Sequence, residues 1–259
     1  MRCFRLFTEH WAILLSTTRQ QLKTRFVGSV FGLAWLILYP LMFLGMYSLV
    51  FIKILGIRIP ELSTIQYVLV IFCGLVPFLA FTQAFSLGSV SVVSNGNLVK
   101  NTLFPIELVV ARDVLAAYIA MSAGVLIVWA VVSTERLYWS HLALVPIYLL
   151  QFLMTLGFAW IASTLMVFFR DLQQLLPVLT LFLMLVSPIA YTMNMVPEGL
   201  RDYFLFNPLA WYMEIYRAVL MEGEFPVLDV LAIAAMSVGI FIIGYEVIHR
   251  MKSLFSDYV

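Results

Sequence analysis

Charge is scarce in this chain. Asp, Glu, Lys and Arg make up 11% of its 259 residues. None of them, and none of the three histidines, falls in the central portion of a long apolar run. Carriers coupled to protons or ions usually keep an ionisable group at mid-membrane, where it is costly and therefore functional. Its absence here indicates that driving energy comes from outside the membrane. Cys3 and Cys73 are too few for a metal site, and their placement, near the amino terminus and in the second apolar run, argues against a disulfide. Both read as packing residues. No G-x-x-x-x-G-K-S/T phosphate loop occurs, so any nucleotide must be bound by another polypeptide. No H-E-x-x-H, nucleophile elbow or mid-membrane carboxylate pair points to catalysis, and His10, His141 and His249 are isolated. A net charge of +1 with no basic block gives no indication of a nucleic-acid partner.

What the chain has in abundance is apolar surface: 63% hydrophobic residues and a mean hydropathy of +1.02. That much cannot be hidden from water in a soluble fold. Six apolar runs cover residues 31–52, 64–86, 108–132, 142–169, 175–193 and 228–247. Each comes close to or exceeds the ~20 residues with which a helix crosses a bilayer. The expectation is an all-α integral membrane protein of six transmembrane helices. It divides into an amphipathic interface helix over 1–28 and a six-span domain over 29–259. The first run is too long for a signal-peptide core and lacks a small-residue cleavage site after it, so it doubles as the insertion signal.

Basic residues set the orientation. Six spans put both termini on one side with ten of them: Arg2, Arg5, Arg19, Lys23, Arg25, Lys100, Arg112, Arg170, Arg250 and Lys252. The other side receives five, Lys53, Arg58, Arg136, Arg201 and Arg217, together with most loop carboxylates. Both termini are expected in the cytoplasm.

Before the first span, Phe7, Trp11, Leu15, Leu22 and Phe26 follow helical spacing on one side, and Arg5, Glu9, Ser16, Gln20 and Lys23 occupy the other. This predicts a cationic helix lying on the membrane surface. A positive flank that only fixes topology is the plainer alternative. Gly28 and Gly32 suit either a close helix approach or an elbow. In the loop after the second span, Asn95-Gly96 is a turn signal and Pro105 suits the opening of the third span. Residues 98–103 between them predict a short helix that could dock a cytoplasmic subunit, or an ordinary loop. The tight loop at Arg170-Asp171 is a second possible contact. Pro177 and Pro188 should kink or break the fifth span. The connectors at 53–63 and 133–141 show no chemistry.

The loop over 194–226 is too long for a connector and too apolar for a solvated one. Pro197 opens one helical run, Asn207-Pro208 breaks it, and a second run carries Trp211, Tyr212, Ile215 and Tyr216. Two short helices joined in this way predict a re-entrant hairpin lining an interface or a pathway. The alternative is a pair of interfacial helices. Glu214 with Arg217 reads as a helix-surface ion pair. Trp35, Tyr39, Phe43, Tyr47 and Phe51 form an unbroken i+4 series through the first span. Aromatic faces stack on the C–H faces of sugars, and an uncharged ladder would suit a sliding carbohydrate chain. Packing against other helices is the competing reading.

Ser187-Pro188-Ile189-Ala190-Tyr191, Met195-Val196-Pro197-Glu198, Asn207-Pro208-Leu209-Ala210 and Tyr216-Arg217 resemble the carboxyl-terminal signature of type-2 ABC exporter membrane subunits. Leu103-Phe104-Pro105-Ile106-Glu107 resembles that family's polysaccharide branch. The resemblance covers essentially the whole chain. It implies a homodimer working with two copies of a separate ATPase, which carries the ATP and magnesium; no cofactor is expected in this chain. Asn95, Asn97, Leu98, Lys100, Leu103, Arg170 and Asp171 would meet the ATPase. Pro197, Asn207, Pro208, Trp211, Tyr212 and Arg217 would belong to an outer gate. The first span and its ladder would line the channel. The implied cargo is an O-antigen, capsule or teichoic acid polymer on undecaprenyl diphosphate, crossing the bacterial inner membrane. A membrane-embedded transferase, a passive channel and a small-molecule exporter of the same fold are the competing functions.

Overall fold

The computed structural model describes residues 2–57, 62–96, 105–204 and 206–257, and within them the chain is helical with no strand. The amino-terminal helix α1 spans Arg2–Phe26. The first membrane segment, Gly32–Ile54, combines a 3-10 turn, helix α2 (Trp35–Ser48) and a π-helical turn (Leu49–Ile54). Then follow α3 (Thr64–Ser94), α4 (Ile106–Glu135), a 3-10 turn (Trp139–Ala143), α5 (Leu144–Phe168), α6 (Leu172–Val186), α7 (Glu198–Phe204), α8 (Pro208–Arg217) and α9 (Val227–Met251).

Five of the described segments are long and apolar enough to cross a membrane: Gly32–Ile54, Thr64–Ser94, Ile106–Thr134, Trp139–Phe168 and Val227–Phe255. The run at 175–193 departs from its expectation as a full span. It yields only α6, of 15 residues, or about 22 Å at ~1.5 Å per residue, short of the ~30 Å of hydrocarbon. The cause is Pro188. The residue before proline disfavours the α region, and Ser187 is extended at φ −87°, ψ 138°. Pro177 is accommodated inside α6.

Local signals account for the remaining boundaries. Ser63 and Gln66 form a capping box at the start of α3: the Ser63 hydroxyl accepts from the Gln66 amide at 3.2 Å, and the Gln66 side chain accepts from the Ser63 amide at 2.9 Å. Asn207 caps α8, with Pro208 in its first turn. Gly223, at φ 76°, ends the π-helical turn Ala218–Glu222 that prolongs α8.

Helix α3 is the central post: 83% of its most apolar stretch is buried, against 11% for the first span. It packs on α4, α5, α8 and α2. Helices α5 and α9 meet backbone to backbone at two glycines. A Cβ on Gly157 would lie 2.5 Å from the Ile240 carbonyl oxygen, and one on Gly244 would run into the Gly157 backbone. Small residues permit this approach where no hydrophobic effect drives helices together. Several buried hydroxyls are satisfied by carbonyls one turn back, as at Thr155 to Gln151 (2.8 Å), Thr164 to Trp160 (2.8 Å) and Ser237 to Ile233 (2.6 Å).

Helix α1 packs on α4 with Leu14 and Thr18 buried, and Phe7 and Leu22 of the expected stripe are partly buried against the core. Trp11 and Leu15 stay exposed at 54% and 48%. The helix therefore has one face for the bundle and an adjoining apolar face turned outward. It bends at His10, where φ −112° and ψ 15° leave the helical region.

Candidate functional site at the hairpin

The break after α6 leaves a run of carbonyls outside any helix, and the structure assigns each a side-chain donor. Arg217 Nη2 donates to Pro188 O and, at 2.8 Å, to Ile189 O. Its Nη1 donates to Tyr191 O at 3.1 Å and to Glu214 Oε1 at 2.8 Å. The remaining carbonyl, Ala190 O, accepts from the Tyr67 hydroxyl of α3 at 2.7 Å. A guanidinium carries five N–H donors in a planar fork, which suits a cluster of carbonyls better than a point charge does. Gly74 makes room for it on α3: a Cβ there would stand 3.1 Å from Nη2. Arg217 is 4% exposed and its Nε–H has no partner. The ion pair with Glu214 thus exists, but Arg217 is a buried clamp and not the surface residue expected.

Asn207 closes the same knot. Its Oδ1 accepts from the Leu209 amide at 3.0 Å, capping α8, and its Nδ2 donates to the Ser187 hydroxyl at 3.1 Å. Ser187, Pro188, Asn207 and Arg217, scattered through the sequence signature, therefore meet in one place. Pro197 precedes the first turn of α7, and Arg201 Nε donates to Val196 O at 3.0 Å.

Helix α8 plugs into the bundle. The Tyr212 hydroxyl pairs with Ser237 of α9 at 2.7 Å. The Tyr216 hydroxyl donates to Gln151 Oε1 of α5 at 3.0 Å, and Gln151 Nε2 donates to Pro77 O of α3 at 2.9 Å. Both tyrosines are fully buried, while Trp211 is half-buried. A buried polar chain of this kind is costly unless every member is satisfied. The hairpin is therefore held in one orientation.

Two residues in the connector thought to lack chemistry staple the far end of the hairpin. Ser140 Oγ donates to Val219 O at 2.7 Å, and His141 Nε2 pairs with Leu220 O at 3.1 Å. A cavity of about 630 Å³ lies beside the hairpin, with Gln66, Arg136, Tyr138, Glu214, Arg217 and Glu222 in its wall. Burial raises the Glu222 pKa above the ordinary carboxylate value; Glu224 and Glu214 add to the shift and Arg217 opposes it.

On the opposite face, Asn95 Nδ2 donates to Ser91 O at 2.7 Å and Asn95 Oδ1 accepts from Arg112 at 3.3 Å. Arg112 also pairs with Asp113 at 2.9 Å, both buried. Asn97, Leu98, Lys100 and Leu103 lie outside the described residues. Arg170 and Asp171 are exposed just before α6. Glu107, the last residue of the Leu103–Glu107 motif, has partners that the sequence does not reveal: it is 1% exposed and accepts from Lys252 at 2.7 Å and His249 at 2.9 Å. Its carbonyl accepts from Trp160 Nε1 at 3.0 Å. Trp160 in turn touches Phe7, Phe241 and Tyr245. The start of α4 is thereby tied to α1, α5 and the end of α9.

The ladder lies on the inward half of the first span. Tyr39, Phe43 and Phe51 pack partly against the core and Tyr47 is buried, whereas Ile37, Leu41, Met42, Met46 and Leu49 are exposed. Tyr39 and Phe43 approach at 5.0 Å, and Tyr47 stacks on Phe51 at 5.6 Å. Trp35 and Tyr39 border a cavity of about 280 Å³ with Arg25, Ser29 and Gln83. Among the described residues, no group of three or more His, Cys, Asp or Glu side chains gathers as a metal site would require.

Relatives match this chain in sequence over most of its length. The chain is 28% identical over 250 residues to an O-antigen export system permease protein RfbA of Klebsiella pneumoniae, covering 95% of this chain and 94% of the relative. It is 24% identical over 263 residues to the protein of that name from Myxococcus xanthus, covering 99% of each. It is 26% identical over 208 residues to the polysialic acid transport protein KpsM of Escherichia coli, covering 79% of each. The ABC-2 type transporter model matches residues 13–221, which include the hairpin and its clamp. This chain is a multi-pass membrane protein and belongs to the ABC-2 type transporter family.

Proposed function

We propose that this chain is the membrane subunit of an exporter that moves a lipid-linked polysaccharide, O-antigen-like and carried on undecaprenyl diphosphate, across the bacterial inner membrane. Two copies form the channel, and two copies of a separate ATPase, holding ATP and magnesium, drive it. Both termini face the cytoplasm, where the ATPase docks on the loop that follows α3. The hairpin is the gate on the opposite face.

The observation that carries this reading is end-to-end similarity to O-antigen permeases, joined to a hairpin clamped by Arg217. Other features support its finer parts. The outward faces of the first span (Ile37, Leu41, Met46) and of α6 (Leu175, Val178, Phe182) are apolar and unoccupied by their own protomer. Gly45 on the first span has open space where a Cβ would stand, which suits a second copy packing closely. The cavity at Arg25, Ser29, Tyr39 and Gln83 combines a cation with hydrogen-bonding groups, as a diphosphate headgroup requires, and Gln83 Oε1 is buried without a partner. The ladder would flank the sugar path at the edge of the two-copy interface.

The similarity to the polysialic acid transporter favours capsule polymer as a second reading, over less of the chain. The test is complementation. Deleting this gene should leave finished polymer inside the cell, and restoring it should return polymer to the surface. Unchanged surface polymer after deletion would refute the proposal. Loss of an unrelated small molecule's export instead would assign the chain to another branch.

A further inference from the structure

A wide apolar cavity lies apart from the Arg217 clamp and from the Glu107 ion pairs. It is a groove of about 810 Å³ between the last turns of α4 and the first turns of α5, walled by Leu126, Trp129, Trp139, Leu142, Val145 and Tyr148. We propose that this groove holds an acyl chain of a bilayer phospholipid in the leaflet on the hairpin side.

Four observations lead to this occupant. The groove opens on the outer surface of two membrane-crossing segments, and its rim is continuous with the surface those segments turn to lipid: Trp139 is 90% exposed, Leu142 74%, Val145 68% and Leu126 61%. Its length fits one leaflet. Along α4 the lining runs from Ser122 to Trp129, about 10 Å at ~1.5 Å per residue, and Leu137, Tyr138 and Trp139 carry it on into the loop. One leaflet contributes about 15 Å of hydrocarbon. Trp129, Tyr138 and Trp139 gather at the loop end, the level at which amphipathic rings mark the headgroup boundary. The walls also argue against another helix. Close helix packing in a membrane relies on small residues, and Ser122 is the only small side chain in this lining. A flexible methylene chain fits between bulky Leu, Val and Trp side chains where a helix does not.

The groove also borders the gate. Ser140 and His141, which grip the hairpin carbonyls of Val219 and Leu220, belong to the same 3-10 turn as Trp139 and Leu142. A chain seated in the groove braces that turn from the lipid side. The proposal requires only that these segments cross a bilayer, so it stands or falls independently of the polysaccharide reading.

The test uses the full chain in nanodiscs of phosphatidylethanolamine and phosphatidylglycerol, doped with a phospholipid bearing a diazirine midway along one acyl chain. After irradiation, peptide mapping should find residues 122–149 labelled several-fold above the equally exposed positions of α6 and α9. Leu126→Trp and Val145→Trp, which fill the groove from opposite walls, should each cut that labelling several-fold while labelling of α9 stays constant. The constant α9 signal also certifies that the variants are folded. As a second readout, amide exchange in residues 209–222 should quicken in both variants. Even labelling of all lipid-facing positions, or groove labelling that survives both substitutions, would overturn the proposal. Displacement by a trace of prenyl phosphate but not by excess phospholipid would overturn the choice of ligand.

Discussion

The guanidinium of Arg217 and the carbonyl of Ile189 meet at 2.8 Å across 28 residues of chain. That contact ties the second limb of the hairpin to the broken end of α6, and three carbonyls depend on the one side chain.

Arg217→Met should therefore be severe. Each buried carbonyl left without a donor costs on the order of 1–3 kcal/mol, so the loss should reach about 3 kcal/mol or more. Arg217→Lys should recover little, because one ammonium cannot serve three carbonyls and a carboxylate together. Thermal unfolding of the purified protein checks this. A lysine variant as stable as the parent would show that the fork geometry is immaterial.

The clamp also marks where sequence reading stops. Pro197 and Asn207-Pro208 announce the hairpin locally, because proline restricts its own backbone and its neighbour's, and Asn207 caps the helix it precedes. The long apolar runs announce the spans by length alone. Arg217 carries no such local mark. Its partners are backbone carbonyls that lack a helical partner only because Pro188 ended α6. Glu107 is hidden for a similar reason, since its partners His249 and Lys252 lie 142 and 145 residues away. Ser140 and His141 look like connector residues until the π-helical turn brings the Val219 and Leu220 carbonyls to them. On α1 the apolar spacing marks the stripe but not its division: Phe7 and Leu22 reach the core while Trp11 and Leu15 stay exposed, a tertiary choice that periodicity does not encode.

Gly157→Val should break the bundle at α5 and α9. The added Cβ would sit 2.5 Å from the Ile240 carbonyl oxygen, against backbone that cannot swing aside. Overpacking of this kind costs about 1–3 kcal/mol when side chains can yield, and more when they cannot. Gly239→Ala on the same helix, α9, meets nothing within 4 Å and should be neutral or stabilising. The pair is read by the fraction of folded, monodisperse protein after solubilisation. Equal yields would contradict the close approach.

Glu222 gives the hairpin a pH dependence of defined sign. Its pKa is raised in the folded protein by burial and by Glu224 and Glu214. Between the ordinary carboxylate pKa and the raised one, the native state holds more protons than the unfolded state, so stability falls as pH rises. The penalty is complete above the raised pKa and absent below the ordinary one. Glu222→Gln removes it. The variant should melt above the parent at neutral pH, with the difference closing as pH drops below about 4. A difference that is constant with pH would show that the carboxylate charge is not the cause.

The ladder predicts a transport defect separable from folding. Tyr39 is half-buried, so Tyr39→Ala should leave yield near normal while surface polymer falls several-fold; Tyr39→Phe, which keeps the ring, should export well. Tyr47 is 8% exposed, and Tyr47→Ala needs the same comparison at matched protein level. Normal surface polymer in both alanine variants would remove the ladder from the transport path.

The dependence on an external motor is tested most directly in cells that keep this chain intact while the partner ATPase loses its catalytic carboxylate. Complete polymer should then accumulate in the cytoplasm with none on the surface, because the spans hold no ionisable group at mid-membrane to couple another energy source. Undiminished surface polymer in those cells would contradict the account.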